Sequence, residues 1–381
     1  MDWMEHNTAF CESVTRQTVL ALACWIAFLA PAARAQESVV YAIGEAKSGV
    51  SKTQVFKTEI LAVDPETGKR RLVFSDANAP FFLLTGAIAA AGGRIFADAI
   101  ERNRLATPAF FLGPETLYEL STDGSGQARK IFDMGSDEHR VDFHSLFFNS
   151  AGTEFGNISF VDGKAYLFVR DTKTGKLLRK SELIGWRFGS GEKIGWMPDD
   201  KRIFFTEEFP GVEGPEALWT TPGSLAGTYV LDENGATVGR LAPEAELHPK
   251  IAGMEPSEES PAFLIGTLPD GGLLLHDYQR GPAGDGVYLY ELDLAKKTQK
   301  IFPLQAEGNA DAFYLSRSGD RLAFAGMRKQ SLKQLQIAAI SSLWFMELKS
   351  GQQRRLLSFP PHDETRGVSP WINLIGWLED K

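Results

Sequence analysis

Histidine is scarce in this 381-residue chain, and four of its six copies share a polar setting. His139, His144, His248 and His362 stand near Asp137, Glu138, Asp142, Glu244, Glu246 and Asp363. Imidazole and carboxylate gathered at one place could bind a divalent metal and support lyase or lactonase chemistry. No pair has the close spacing of a metal motif, so the expectation is no metal and no cofactor. Other chemistry is thinner. The chain has no G-x-S-x-G nucleophile elbow. Asp123-Gly124-Ser125-Gly126 reads as a turn, because no helix pattern follows to make it a phosphate loop.

A second group of residues suits recognition better than catalysis. Phe110 and Phe111 follow Arg102 and Arg104, and Phe209 precedes Trp219 in a Gly/Pro-rich stretch. Arg280 and Arg328 stand at the head of two further irregular stretches. Aromatic anchors with basic neighbours are what a protein or ligand interface uses. The competing reading is that these segments fold back and bury their aromatics. Residues 328–335, with Leu332 and Leu335 among Lys and Gln, are expected to form a short helix.

What must position these residues is a repeat. Alternating apolar residues flank a turn six times, at positions 64, 123, 171, 232, 293 and 349, and most copies place Asp or Gly in it. Examples are Ile60-Leu61-Ala62-Val63-Asp64 with Leu72-Val73-Phe74, and Tyr288-Leu289-Tyr290-Glu291-Leu292-Asp293. That is the hairpin signal, with Asp closing the turn through its side chain and Gly supplying positive φ. Asp64, Asp171 and Asp232 recur at one repeat position and are read as turn residues. A second hairpin precedes five of these, as in Trp196-Met197-Pro198-Asp199-Asp200 and Leu268-Pro269-Asp270-Gly271. Four strands at a period of 48 to 61 residues describe a propeller blade. The expected fold is therefore all-β, a six-bladed β-propeller of four-stranded blades. An open β-sandwich is the alternative, but sandwiches seldom repeat one pattern this often.

Closure is predicted as well. Trp371-Ile372-Asn373-Leu374-Ile375-Gly376-Trp377 resembles the first-strand sequence Lys193-Ile194-Gly195-Trp196. Only three strands precede the second blade, which begins near Leu83. The C-terminal strand should complete them and seal the ring.

The aromatic, the Ser/Pro-Asp-Gly turn, the apolar strand and the Tyr-bearing strand with its Asp…Gly turn together resemble the TolB-like propeller repeat. The resemblance covers residues 38–381. It implies the propeller fold and a habit of binding proteins or ligands on one face. TolB carries an α/β domain ahead of its propeller; here the strands begin too early for one, and the expectation is a propeller lacking it. Fold alone does not fix function.

In such a blade the second-to-third and fourth-to-first connections share one face. The long irregular segments 46–54, 101–115, 208–227, 279–285, 328–340, 135–143, 243–260 and 359–370 all fall there. So do the four histidines, whereas His276 falls on a strand. Long loops on a rigid scaffold are where binding usually lives.

The first 35 residues read as an address. Arg16, the apolar run from Thr18 to Ala30 and Ala33-Arg34-Ala35 describe a secretory signal peptide cleaved after Ala35. Asp2, Glu5 and Glu12 are unfavourable ahead of Arg16, which places the start of translation downstream, at Val14. Cys24 is followed by Trp25-Ile26-Ala27-Phe28-Leu29 and not by a polar tether, which disfavours lipidation. Both cysteines, Cys11 and Cys24, leave with this segment. A disulfide-free propeller over 36–381 remains, in a periplasmic or secreted setting.

Composition narrows the partners. Lys plus Arg number 40 against 49 Asp plus Glu, a net charge of −9 that gives no footprint for nucleic acid. No other apolar run approaches a membrane span. The sequence reading is a monomeric, exported, non-enzymatic propeller that binds an envelope protein or small ligand on its long-loop face. Its alternative is a metal-dependent enzyme acting on a sugar-derived substrate at the His-bearing channel mouth.

Overall fold

The computed structural model describes residues 37–47, 55–101, 115–133, 147–161, 164–182, 194–197, 199–207, 227–256, 262–280, 286–306, 309–332, 335–360 and 368–379. Within them, Val, Ile, Phe and Tyr alternate along short runs bounded by Asp and Gly, and these runs are strands. Blade 1 holds β1 (Glu37–Lys47), β2 (Val55–Val63) and β3 (Arg70–Ser75). Blade 2 is β4 (Phe81–Ala91), β5 (Arg94–Glu101), β6 (Glu115–Leu120) and β7 (Ala128–Asp133). Blade 3 is β8 (Phe147–Phe148), β9 (Glu154–Val161), β10 (Lys164–Asp171) and β11 (Leu177–Glu182). Blade 4 is β12 (Ile194–Trp196), β13 (Ile203–Glu207), β14 (Gly227–Leu231) and β15 (Thr237–Arg240). A two-residue strand, β16 (Glu255–Pro256), then leads into blade 5: β17 (Phe263–Thr267), β18 (Leu273–Arg280), β19 (Gly286–Asp293) and β20 (Thr298–Phe302). Blade 6 is β21 (Asn309–Leu315), β22 (Arg321–Leu332), β23 (Leu335–Glu347) and β24 (Gln353–Ser358). The last strand, β25 (Val368–Glu379), pairs antiparallel with β1 from Lys47↔Val368 to Glu37↔Glu379. The predicted closure of blade 1 by the C-terminal strand is the observed one.

Both faces of a blade must be covered, and the neighbouring blades cover them. Strand β1 shows how: Val40 and Ala42 pack with blade 2, while Val39 and Tyr41 pack with blade 6. Further apolar clusters join blades 2 and 3, 3 and 4, 4 and 5, and 5 and 6. Each junction between successive blades is therefore a core of its own, and the sixth closes the ring.

A polar strap reinforces most junctions at the rim. An outer-strand cation donates to a carbonyl in the third-to-fourth turn of the next blade. The pairs are Arg71 to Thr122 (3.2 Å), Arg129 to Lys173 (3.1 Å), Arg179 to Glu233 (2.7 Å) and Lys300 to Leu348 (3.0 Å). Arg354 reaches Glu66 in the same way at 2.7 Å, across the closure.

One expectation fails here. Residues 328–335 are not a helix, and 328–340 is not an irregular loop. Strands β22 and β23 stay paired up to Leu332↔Leu335, extending the blade 6 hairpin. The apolar pair Leu332 and Leu335 has helical spacing, but a partner strand offers every backbone group a ladder bond.

Candidate functional site

The two ends of the blades differ in how their polar groups are satisfied. At the hairpin-turn end, third-to-fourth turn aspartates serve their own turns. Asp64 Oδ1 accepts from the Glu66 and Thr67 amides (2.7 and 3.1 Å), and Asp171 Oδ1 from the Lys173 and Thr174 amides (3.1 and 2.8 Å). Asp232 Oδ1 does the same for Asn234 and Ala236 (2.8 and 2.9 Å). These are the turn roles read from the repeat. Hydroxyl and amide donors around Asp123 hold its carboxyl down at about 2, and hydrogen bonds from Thr174 lower that of Asp171.

The opposite end carries the connection from blade 4 to blade 5, and there a polar network is built into the interior. One helical turn, Glu244–Leu247, delivers four successive residues to blade 5. The Leu247 carbonyl accepts from Tyr290 Oη at 2.8 Å. His248 Nδ1 donates to Asp277 Oδ2 at 2.8 Å. The Pro249 carbonyl accepts from Gln279 Nε2 at 3.0 Å. The Lys250 amide and carbonyl meet the two ends of the Gln299 amide at 2.9 and 2.8 Å. Asp277 and Gln279 continue the face of β18 that carries Leu273 and Leu275 and have no solvent exposure. Gln279 Nε2 also donates to Asp277 Oδ2 at 3.0 Å.

This arrangement sets the chemistry of His248, whose side chain is 12% exposed. A carboxylate only accepts, so a proton sits on Nδ1. A buried Asp that orients an imidazole is the pairing used both in acid–base sites and behind metal ligands. Asp277 Oδ1 and Gln279 Oε1 are buried acceptors without a hydrogen-bond partner. Among the described residues, no three His, Cys, Asp or Glu side chains gather as a metal cage.

Of the other residues singled out in the sequence, Arg328 lies on β22, half-buried, and donates from Nη2 to the Phe359 carbonyl at 3.1 Å. It ties the extended hairpin to the exit of β24. Arg280 is the last residue of β18, paired with Glu255 of β16. His276 is on β18, as read from the sequence, between the Phe263 and Phe313 rings (5.0 and 4.9 Å). Arg102, Arg104, Phe110, Phe111, Phe209, Trp219, His139, His144 and His362 lie outside the described residues. Sequence reading did not single out Asp277 and Gln279. Their signal was two polar residues at i and i+2 on the face of a strand that otherwise carries leucine.

Fold and site together define a six-bladed β-propeller with three-plus-one closure, the fold implied by the TolB-like resemblance. The chain is similar in structure to TolB from Acinetobacter baumannii, at 14% identity and a TM-score of 0.47, covering 88% of this chain and 66% of that one. It therefore spans just under two thirds of that TolB. An oligogalacturonate lyase from Vibrio parahaemolyticus aligns at 13% identity and TM-score 0.40, over 84% of this chain and 86% of that one. The propeller domain of the Trilobed protease from Pyrococcus furiosus aligns at 11% and 0.43, over 84% and 92%. No protein-family model and no curated protein matches the sequence.

Proposed function

We propose that the chain is an exported propeller that binds an envelope protein or ligand on its long-loop face and is not an enzyme. The observation that carries this reading is the asymmetry between the blade ends. Third-to-fourth turn aspartates at one end serve their own backbones, whereas at the other end a network of hydrogen bonds fixes the connection from blade 4 to blade 5 and holds His248 part-exposed. Groups already held in place by such a network bind a partner at a lower ordering cost than groups on a loose loop. The segment 1–35 serves as the cleaved signal peptide. Among the described residues, no helix is long and apolar enough to cross a membrane. The test is capture from an envelope extract with the full chain as bait, together with N-terminal sequencing of the exported protein. A defined partner and a new terminus at Gln36 support the reading. An intact residue 1–13 segment on the exported protein counts against the export step.

The His248–Asp277 pair favours one second reading, a propeller enzyme acting on a sugar acid or lactone with His248 at the channel mouth. Stoichiometric metal in protein purified without added metal, lost in His144→Ala and His248→Ala, would favour it over the binding scaffold.

A further inference from the structure

We propose that the ring has a built-in seam, at which blades 4 and 5 part while the other junctions stay closed. The first observation is the strap that blade 4 lacks. In the five strapped blades the cation lies on the face toward the next blade, paired across the ladder with Ala62, Glu119, Val169, Glu291 or Phe345. Val230 stands two residues before its turn aspartate, as Ala62, Val169 and Glu291 do, and its partner is Gly239. The φ of Gly239 is +130°, which side-chain-bearing residues rarely adopt, and a Cβ there would meet nothing within 4 Å. The one cation of β15, Arg240, lies on the opposite face and donates from Nε to Tyr229 Oη at 3.4 Å.

The second observation is the face itself. Register carries one row across blade 4, Gly195–Phe204–Val230–Gly239, with Thr206 and Thr228 beside it. Phe204 packs in the cluster between blades 4 and 5, so this row faces blade 5. The opposite face holds Ile194, Trp196, Ile203, Phe205, Tyr229 and Leu231, packed with blade 3. Hydrophobic stabilisation follows buried apolar area, and a row that begins and ends in glycine has little to bury. Blade 4 accordingly supplies Met197 and Phe204 to the buried part of its cluster with blade 5, and blade 5 and the connection supply the rest.

The third is where the connection is anchored. Leu241, at the exit of β15, donates its amide to Thr228 of blade 4 at 2.8 Å. Leu247, His248, Pro249 and Lys250 bond instead to Tyr290, Asp277, Gln279 and Gln299, all in blade 5. The chain changes allegiance between Leu241 and Leu247, so the blades can part there without breaking that network. Opening gives small solutes a lateral route to the core between the blades. It needs no docked partner.

The experiment is native-state thiol labelling of the full chain with Cys11→Ser and Cys24→Ser, carrying one buried reporter at a time. Val230→Cys reads the junction of blades 4 and 5. Val40→Cys, Val169→Cys and Val39→Cys read junctions 1–2, 3–4 and 6–1. Thr206→Cys, on the same face as Val230 and fully buried, is the second reporter if Val230→Cys does not melt cooperatively. The 4–5 reporter should be labelled about tenfold faster than the other three, at a rate that climbs in urea well below the unfolding midpoint, as an opening that exposes new surface requires. Arg179→Ala, which removes the strap from blade 3 to blade 4, should speed labelling of Val169→Cys about fivefold and leave the 4–5 reporter unchanged. Three results would overturn the proposal: a 4–5 reporter no faster than the rest, a rate indifferent to urea, or no response of Val169→Cys to loss of Arg179.

Discussion

The Glu37 carboxylate accepts a hydrogen bond from the Arg321 guanidinium, joining residues 284 positions apart. Both side chains are nearly buried, at 5% and 12% exposure, and Arg321 also lies over the Trp377 ring. Glu37 and Glu379 are register partners, and Glu379 takes Arg317 at 2.7 Å. Blade 6 thus grips both strands that meet at the closure.

Removing one member of such a pair leaves the other charged and buried. Arg321→Ala should destabilise the fold by about 3 kcal/mol, measured by urea unfolding. Glu37→Gln keeps an acceptor and should cost less. Deleting 371–381 should abolish cooperative melting altogether, because β1 would lose most of its inner partner.

Close backbone contact between blades 2 and 3 gives a second prediction. A Cβ at Gly92 would sit 2.0 Å from the Ala151 carbonyl oxygen, and φ there is +56°. Gly92→Ala should cost more than about 2 kcal/mol, combining steric overlap with left-handed strain. Gly68, at φ +70° with open space around it, should lose only about 1 kcal/mol as Gly68→Ala. Equal losses in equilibrium unfolding would rule out the inter-blade contact as the cause.

Asp123 sets an acid limb. Its carboxyl is held at about 2 against an ordinary value of 3.8, first by the Ser121 hydroxyl and then by Ser125. A lowered carboxylate contributes stability that is present above the unfolded value and lost as pH falls through the folded one. Asp123→Asn should therefore flatten the stability profile between pH 3.8 and about 2, leaving its slope at neutral pH alone. An unchanged acid limb in the variant would contradict this.

The loop-face reading predicts a one-sided mutational map. Trp219→Ala and Phe111→Ala should each weaken capture of the envelope partner by more than about 1 kcal/mol. Thr174→Ala, at the turn end, should leave capture unchanged. Binding assays against the captured partner would decide, and equal effects at the two ends would remove the basis for the assignment.

How much of this was legible in sequence follows from range. The Asp64, Asp171 and Asp232 turns were visible because a turn needs only its own four or five residues. Closure was visible because Trp371–Trp377 repeats a first-strand pattern. The 328–335 segment was misread because its strand character comes from pairing with 335–340, which local spacing does not display. The His248–Asp277–Gln279 network was missed for a similar reason: its members come from a connection and a strand 29 residues apart. His248 drew notice as a histidine, whereas Asp277 looked like one more polar residue among leucines.

The strap from Arg354 to Glu66 has a consequence for the order of synthesis. It is the same bond that joins covalently consecutive blades, so the side chains treat blades 6 and 1 as ordinary neighbours. During translation, however, β1 emerges first and its inner partner, β25, more than three hundred residues later. Until then blade 1 carries a bare edge and Arg317 of blade 6 lacks Glu379. A ribosome that stops early releases a chain marked by that edge, which proteases and chaperones can read, whereas a finished chain hides it within a single pairing event.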